Sequence, residues 1–155
     1  MLKIIQYADR YKDTVPRFIL EVLEGEFGFT GIERPDIFDI PAHYSKGASR
    51  FWLAIDDNNV VGTIAIIDCG RNRGFLRRMY VAKRFRRKGI GTKLLATLLR
   101  YAKKHHYKRI FLWTDEEMKD AIKMYEKEGF EKINAPPKDF HFLRLHDSIF
   151  YRLDL

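Results

Sequence analysis

Apolar residues recur along the chain with two different periods, and the change of period separates predicted strands from predicted helices. An opening strand is predicted over roughly residues 2–7, and helical spacing follows up to about residue 26. The apolar stretches 51–55 and 60–67 flank the turn sequence Asp-Asp-Asn-Asn, which predicts a β-hairpin. A third strand over 75–81 follows the next turn and extends this hairpin.

The second half of the chain alternates helices with strands. Leucines at helical spacing predict a helix over about 91–105, ahead of a strand over 108–114. A further helix is predicted over 120–128, and two strands over 130–133 and 148–153 close the chain. Hairpins need antiparallel pairs, whereas strand–helix–strand crossovers need parallel ones. The order therefore predicts an α/β (α+β) fold with a mixed sheet.

The composition indicates one folded domain over residues 1–155. Hydrophobic residues make up 46% of the chain, and no repeat or long linker divides it. The single cysteine excludes an internal disulfide, and no apolar run approaches the roughly 18 residues of a membrane span. The N-terminus lacks the apolar core of a signal peptide. We therefore expect a cytoplasmic protein without a membrane partner, as a monomer or homodimer.

Net charge of +8 predicts attraction to a polyanion such as nucleic acid, anionic lipid or a phosphorylated small molecule. The placement of the charge is more informative than its sum. Five of the six residues from Lys83 to Lys88 are basic, and this run directly precedes two glycines.

The basic run sits where a predicted strand passes through a loop into a predicted helix. Free amides at the start of a helix carry the positive end of the helix dipole, and Gly89 and Gly91 let a phosphate approach them closely. Arg86, Arg87 and Lys88 add positive charge at the rim. These features describe a pyrophosphate cradle that has neither the P-loop nor the dinucleotide-binding glycine pattern.

A second pattern lies on the next predicted helix. Ala121 and Tyr125 are one helical turn apart, so they share a face, and Gly129-Phe130 follows them. A small residue there lets a ligand lie close to the helix, and the phenol can donate a proton. Without the surrounding pattern, Tyr125 would be interpreted as an ordinary half-buried tyrosine.

At these residues the chain resembles the GNAT superfamily of N-acetyltransferases. Val81-x-x-x-x-Arg86-x-x-Gly89-x-Gly91 is similar to its acetyl-CoA signature, and the spacing from Ala121 to Phe130 is similar to its second signature. The resemblance extends over nearly the whole chain. It implies about six to seven strands, splayed in the middle of the sheet, with about four helices.

The resemblance also implies roles for individual residues. The backbone of Met79, Tyr80 and Val81 is expected to pair with the pantetheine arm of acetyl-CoA and to polarise the thioester carbonyl. Main-chain amides of the loop are expected to hold the pyrophosphate. The residues expected at the cofactor are Met79, Tyr80, Val81, Arg86, Arg87, Lys88, Gly89, Ile90, Gly91, Thr92 and Ala121. Tyr125 is expected to protonate the departing thiolate, and a direct transfer to a primary amine in a ternary complex is expected.

Three positions depart from the family pattern: Met118 replaces an asparagine that commonly contacts the pantetheine, Lys83 replaces a common loop proline, and the third bears on the base. Many members carry a glutamate six residues before the position of Val81, and this chain has Phe75 there. An alkylammonium is mostly charged at neutral pH, so its proton must leave before attack. The candidates for a base remain open, together with a water chain to backbone carbonyls: Asp68, Glu24, Glu26 and His43.

Other chemistry-bearing side chains are interpreted as structural. Cys69 is expected to be an inert thiol, and the adjacent His105 and His106 face different sides of a helix, so no metal site is predicted. Trp113 is expected in the core. The clustered Arg71, Arg73, Arg77 and Arg78 are interpreted as a solvated hairpin, with a patch beside the substrate as the alternative.

Two rival functions remain at this point. A non-catalytic acyl-CoA sensor of the same fold is favoured slightly by Phe75 and opposed by Tyr125. A nucleic-acid binder would spread basic and aromatic residues over one face, and no such motif is present, so no nucleic-acid partner is predicted.

The acceptor amine is not specified by the sequence. Its pocket is expected to be lined by residues 27–49 and 134–148, which contain aromatic and charged residues. Asp36 and Asp39 would attract a cationic amine, whereas Lys138 or Arg144 would fix the carboxylate of an amino acid. A small molecule and a peptide amine both remain open.

Overall fold

The computed structural model describes residues 1–141 and 148–155. Its strands are β1 (Leu2–Gln6), β2 (Arg50–Asp56), β3 (Asn59–Asp68), β4 (Arg73–Val81), β5 (Arg109–Thr114), β6 (Glu131–Ile133) and β7 (Ile149–Asp154). Its α-helices are α1 (Thr14–Leu20), α2 (Ile40–His43), α3 (Ile90–Lys104) and α4 (Lys119–Lys127). The predicted elements are confirmed, and their ends lie close to the expected residues.

The strands form one seven-stranded sheet in the order β1-β2-β3-β4-β5-β7-β6. Only β4 and β5 pair in parallel, and every other neighbouring pair is antiparallel. The predicted mixed sheet is therefore confirmed. The parallel pair exists because α3 carries the chain from the end of β4 back to the start of β5.

The two faces of the sheet carry separate cores. Leu94, Leu95 and Leu98 of α3 are fully buried on one face, as the leucine spacing predicts. On the other face, Val15 and Ile19 of α1 pack with alternate residues of β2 and β3. This separation fixes the sides from which the middle strands can be approached.

The helical region extends beyond α1 up to Glu26, as predicted. Residues Glu21–Glu26 continue α1 as a π-helix, and a 3-10 turn over Pro35–Phe38 precedes α2. A π-helical turn is rare and occurs often at functional sites. Here it brings Glu26 to the end of β4, as described below.

One core prediction is wrong: Trp113 is 39% exposed. Phe111 shares its face of β5 and is buried, because Phe140 packs against it. Trp113 lies further along the strand, beyond the point where β5 separates from β4. The apolar run in the sequence marks the strand but does not reveal that its neighbour has moved away.

The middle of the sheet is splayed, as expected. β4 and β5 pair only from Arg73–Arg109 to Phe75–Phe111, and beyond these residues the strands separate. β4 also contains a bulge, since the register with β3 shifts between Thr63 and Ala65. Arg78 lies in this bulge with a positive φ of 54°, and Thr63 Oγ1 donates a hydrogen bond of 2.7 Å to its carbonyl oxygen.

Candidate active site

A groove with a volume of about 610 Å³ opens where β4 has left β5. Its walls come from the end of β4, the loop before α3, the first turns of α3 and α4, and the π-helical segment. The expected cofactor residues that line it are Met79, Tyr80, Val81, Arg86, Arg87, Gly89, Gly91, Thr92 and Ala121. Residues of two sequence patterns that are 30 residues apart in the chain therefore line one cavity. Their individual roles at the cofactor remain predictions.

The loop before α3 presents its backbone to this groove. Arg87 and Gly89 both have positive φ, at 60° and 82°, and Gly89 is the N-cap residue of α3. Lys93 N–H donates to Gly89 O, so the amides of Ile90, Gly91 and Thr92 precede the first hydrogen bond of the helix. Such a run of free amides at a helix start suits an anion.

Gly91 is closely packed, and its φ is not in the left-handed region. A Cβ atom at this position would lie 3.0 Å from Met79 Cε and 3.2 Å from Met124 Sδ. A larger residue would therefore displace the side chains that form the groove floor. Gly89 is different, since nothing lies within 4 Å of an added Cβ and a side chain would project into open space.

Arg86 is held by protein groups. Its Nε donates to Val81 O at 3.0 Å, and its Nη2 donates to Glu26 Oε1 at 2.7 Å. Its Nη1 also contacts Glu26 Oε2. The guanidinium therefore ties the π-helical segment to the end of β4. The Arg86 amide is engaged as well, since it donates to Lys83 O at 3.2 Å, so the free amides of this motif lie further along the loop.

Three expected site residues do not line the groove. Lys88 is exposed with its Nζ 5.4 Å from the ring centre of Phe85, and Ile90 is buried in the core below α3. Tyr125 is 4% exposed, with its ring 5.7 Å from that of Phe130. Burial raises the pKa of Tyr125, and the nearby Tyr80 adds a smaller electrostatic effect in the same direction. The phenol is therefore protonated at neutral pH.

A buried ion pair beside the bulge was missed by the sequence reasoning. Arg78 donates to Asp36 through Nε at 2.8 Å and Nη2 at 2.6 Å, and Tyr44 Oη donates to Asp36 at 2.6 Å. The Arg78 and Asp36 side chains are 9% and 6% exposed. Burial opposes ionisation of Asp36, but the hydrogen bonds and charge of Arg78 leave its pKa well below the usual range. Arg78 Nη1 also donates to Tyr80 Oη at 3.3 Å.

This pair corrects two expectations. Arg78 is not part of a solvated hairpin, and neither is Arg73, which binds Asp139 and lies 5.0 Å from the ring centre of Phe140. Asp36 does not offer a free carboxylate to a cationic amine, because Arg78 neutralises it. The alternation of side chains along β4 predicts which face of the sheet Arg78 occupies. The position of Asp36 opposite Arg78 depends on the tertiary fold.

Phe75 occupies the position of the common glutamate as a core residue, 1% exposed. Its ring centre lies 6.1 Å from that of Phe140, which anchors the loop after β6. Phe75 is therefore part of an aromatic cluster, and it brings no proton acceptor.

Each of the four candidate bases is bound elsewhere. Glu26 pairs with Arg86, Asp68 accepts from the amides of Ala48 and Gly70, and Glu24 lies 3.6 Å from Arg34. His43 is exposed, with Nδ1 3.0 Å from Asp39 O. None is singled out, so the base stays unassigned.

Cys69 fits the expectation of an unreactive thiol. Burial raises its pKa to about 12, so almost no thiolate forms at neutral pH.

Lys138 is among the described residues, whereas Phe142 and Arg144, both expected near the acceptor, lie outside them. Residues 1–141 and 148–155 contain no cluster of side chains suited to a metal ion. Within the same residues, no helix has the length and apolar character needed to cross a membrane.

The comparisons with known proteins agree with this geometry. A family model described as the acetyltransferase (GNAT) family matches residues 17–130. A crystal structure of an acetyltransferase of the GNAT family from Staphylococcus aureus Mu50 is 32% identical, covers 99% of both chains and has a TM-score of 0.91.

Two curated relatives add to this. The chain is 32% identical over 128 residues to a probable N-acetyltransferase, camello, of Xenopus laevis, which covers 79% of this chain and 58% of that protein. It is 39% identical over 102 residues to the N-acetylaspartate synthetase of Homo sapiens, which covers 64% of this chain and 34% of that protein. The chain therefore spans only about a third to three fifths of the length of these relatives.

Asp36→Asn should lower the free energy of unfolding by about 3 kcal/mol at pH 7, because it leaves the buried guanidinium of Arg78 without its counter-charge. Since the folded-state pKa of Asp36 is lowered, wild type should lose this contribution as pH falls below the ordinary carboxyl value of 3.8. Urea denaturation at pH 7 and pH 3 measures both effects.

The control for this change is Asp13→Asn, which removes an exposed carboxylate that caps no helix through its side chain. It should change stability by no more than about 0.5 kcal/mol. Equal losses in the two variants would contradict a structural role for the ion pair.

Proposed function

Because the chain belongs to the acetyltransferase (GNAT) family, we propose that it transfers the acetyl group of acetyl-CoA directly to a primary amine. The observation that carries the proposal is the meeting of an unpaired strand edge and an unpaired helix start in one groove. A strand edge suits the amide groups of pantetheine, and a helix start suits a pyrophosphate. Acetyl-CoA joins these two kinds of group in one molecule.

In this proposal the edge of β4 binds the donor along its length. Among the described residues, no strand pairs beyond Phe75 with the side of β4 that faced β5, so the backbone of Met79 and the amide of Val81 are available to pair with an extended ligand. The backbone of Tyr80, which lies between them, faces β3, where Tyr80 pairs with Thr63. A backbone amide in the same stretch stabilises the negative charge that develops on the thioester oxygen. The unpaired edge of β4 therefore both binds the donor and polarises its thioester carbonyl.

The loop from Arg86 to Thr92 holds the pyrophosphate through its main-chain amides. The exposed side chains of Arg87 and Lys88 add positive charge at the mouth of the groove. Ile90 contributes its backbone, since its side chain is buried in the core. Ala121 leaves room for the donor beside α4, across the groove.

Tyr125 is the proposed proton donor to the departing thiolate. Its raised pKa keeps the phenol protonated until a proton is needed, and a thiolate is a stronger base than water. Tyr125 itself does not line the groove, although Ala121 and Met124 of the same helix do, so the role requires the donor to reach inward between β4 and α4. The cysteine is not used, because a thiol with a raised pKa makes a poor acyl carrier.

A small-molecule amine is the favoured acceptor. The relatives named N-acetylaspartate synthetase are 39% identical to this chain over 102 residues, and their name describes a small product. A peptide amine is the alternative. We further propose that the protein works in the cytoplasm as a monomer or homodimer, without nucleic acid, membrane or metal as partner.

Gly89→Glu should abolish detectable binding of acetyl-CoA, because a carboxylate at the helix start repels the pyrophosphate and fills its place. Wild type should bind acetyl-CoA with a micromolar dissociation constant in calorimetry. Gly70→Glu is the matched control, since Gly70 also has a positive φ and open space but lies in the turn between β3 and β4. It should bind like wild type. Absence of binding to wild type would overturn the proposal.

Tyr125→Phe should slow acetylation of a good amine about 10²- to 10⁴-fold while acetyl-CoA still binds, because only the proton donor is lost. Release of free thiol from acetyl-CoA measures the rate. A sensor of the same fold would bind acetyl-CoA and release no thiol with any amine, for wild type and variant alike. Unchanged turnover in the variant would remove Tyr125 from the mechanism.

A further inference from the structure

The face of β4 turned away from α3 carries a half-buried arginine, Arg77. Leu76, Met79 and Val81 belong to the core beneath α3. Arg77 pairs across the sheet with Ala65, which belongs to the core on the opposite face. Residues opposite each other in a sheet share a face, so Arg77 lies on the side of α1 and the Pro35–Phe38 turn.

Along the strand, Arg77 lies between two parts of the site. Phe75, in the position of the common glutamate, precedes it by two residues, and Met79, where the proposed transfer segment begins, follows it by two. The bulge at Arg78 lies immediately after it. A group bound by Arg77 would therefore sit beside the amine that attacks the acetyl carbon.

Among the described residues, no carboxylate lies within ion-pair distance of Arg77. Its side chain is half-buried, and within residues 1–141 and 148–155 it forms neither an ion pair nor a hydrogen bond. The other two arginines of β4, Arg73 and Arg78, each bind a carboxylate. A partly desolvated cation without a partner loses hydration and gains nothing for it. Such a position suits a ligand that brings the missing charge.

Asp36 is the carboxylate on which the charge of Arg77 acts, and it already has other partners. It accepts from Nε and Nη2 of Arg78 and from Tyr44 Oη. The positive charge of Arg77 nevertheless reaches this cluster, since it helps lower the pKa of both Asp36 and Tyr44 against the effect of burial. The acceptor side of β4 therefore carries one unbalanced positive charge.

We propose that the acceptor is an amine that also carries a carboxylate, as amino acids do, and that Arg77 binds this carboxylate. The proposal rests on the proposed acetyl transfer. A guanidinium offers two parallel N–H groups that match the two oxygens of a carboxylate. A phosphate with two charges would need a second free cation, and the neighbouring Arg78 is already neutralised. Arg77 thus selects the acceptor and orients its amino group toward Met79–Val81.

The test compares matched acceptors that differ only in the carboxylate. Glycine with glycinamide and β-alanine with β-alaninamide are the probes, and kcat/KM is measured for each with saturating acetyl-CoA. The ratio of acid to amide within each pair is then compared between enzyme variants. Differences in the basicity of the amines cancel in this comparison.

Arg77→Gln should lower that ratio about 10- to 100-fold, because a hydrogen-bonded charge contact of this kind contributes about 1.5–3 kcal/mol. Arg77→Lys should retain part of the preference, since it keeps the charge without the paired geometry. Arg100→Gln removes the same charge from an exposed position on α3 and should leave the ratio unchanged. Calorimetric binding of the better acid to the CoA-loaded protein should weaken in Arg77→Gln alone.

An unchanged ratio in Arg77→Gln would overturn the proposal, as would turnover of the amides without turnover of the acids. Binding of acetyl-CoA to wild type and Arg77→Gln is measured in parallel. Equal binding shows that the variant is folded and that the donor site is intact. If amines without a carboxylate are acetylated best, acetyl transfer stands and the assignment of Arg77 fails. If wild type binds no acetyl-CoA, the proposed function itself fails.

Discussion

Beyond Phe75 and Phe111 the two middle strands no longer share hydrogen bonds, and the geometry of the site depends on this separation. A buried strand edge without a partner is unfavourable, because its amide and carbonyl groups lose water and gain no protein bond. Here the unpaired edge faces a groove instead of the core. The bulge at Arg78, opposite Ile64, bends β4 and increases its local twist.

Two ion pairs hold the N-terminal third of the chain against this part of β4. Asp36 binds Arg78 at the bulge, and Glu26 binds Arg86 after the strand ends. Burying a pair of charges adds little net stability, because each ion gives up its hydration. The pairs instead exclude other placements of the segment between α1 and α2, since a shifted segment would leave a guanidinium unpaired. They shape the groove from the side opposite α3.

The order of elements was readable from the sequence because each depends on neighbours in the chain. The leucines of α3 and the glycines before it predict a helix with an open start, and the structure has both. The contact between Asp36 and Arg78 was not readable, because it joins residues 42 positions apart and nothing in either local pattern requires it. The exposure of Trp113 was missed for a related reason, since it depends on where β4 separates from β5.

The candidate site residues show the same difference between what a local pattern predicts and what the fold decides. Gly89 and Gly91 act through the backbone, so a short motif is enough to identify them. Arg86 belongs to the same motif, but its side chain is committed to a glutamate that the motif does not contain. Side-chain roles therefore need the fold, whereas backbone roles can be predicted from glycine spacing and helix starts.

Amide hydrogen exchange with and without acetyl-CoA tests the central claim most directly, because it reports on the backbone groups assigned to the donor. Protection should increase at Met79 and Val81 on the edge of β4 and from Gly89 to Thr92 at the start of α3. Amides of β1 and β2, on the far side of the sheet, should exchange as before. Binding of acetyl-CoA without added protection in either of the two segments would contradict the account.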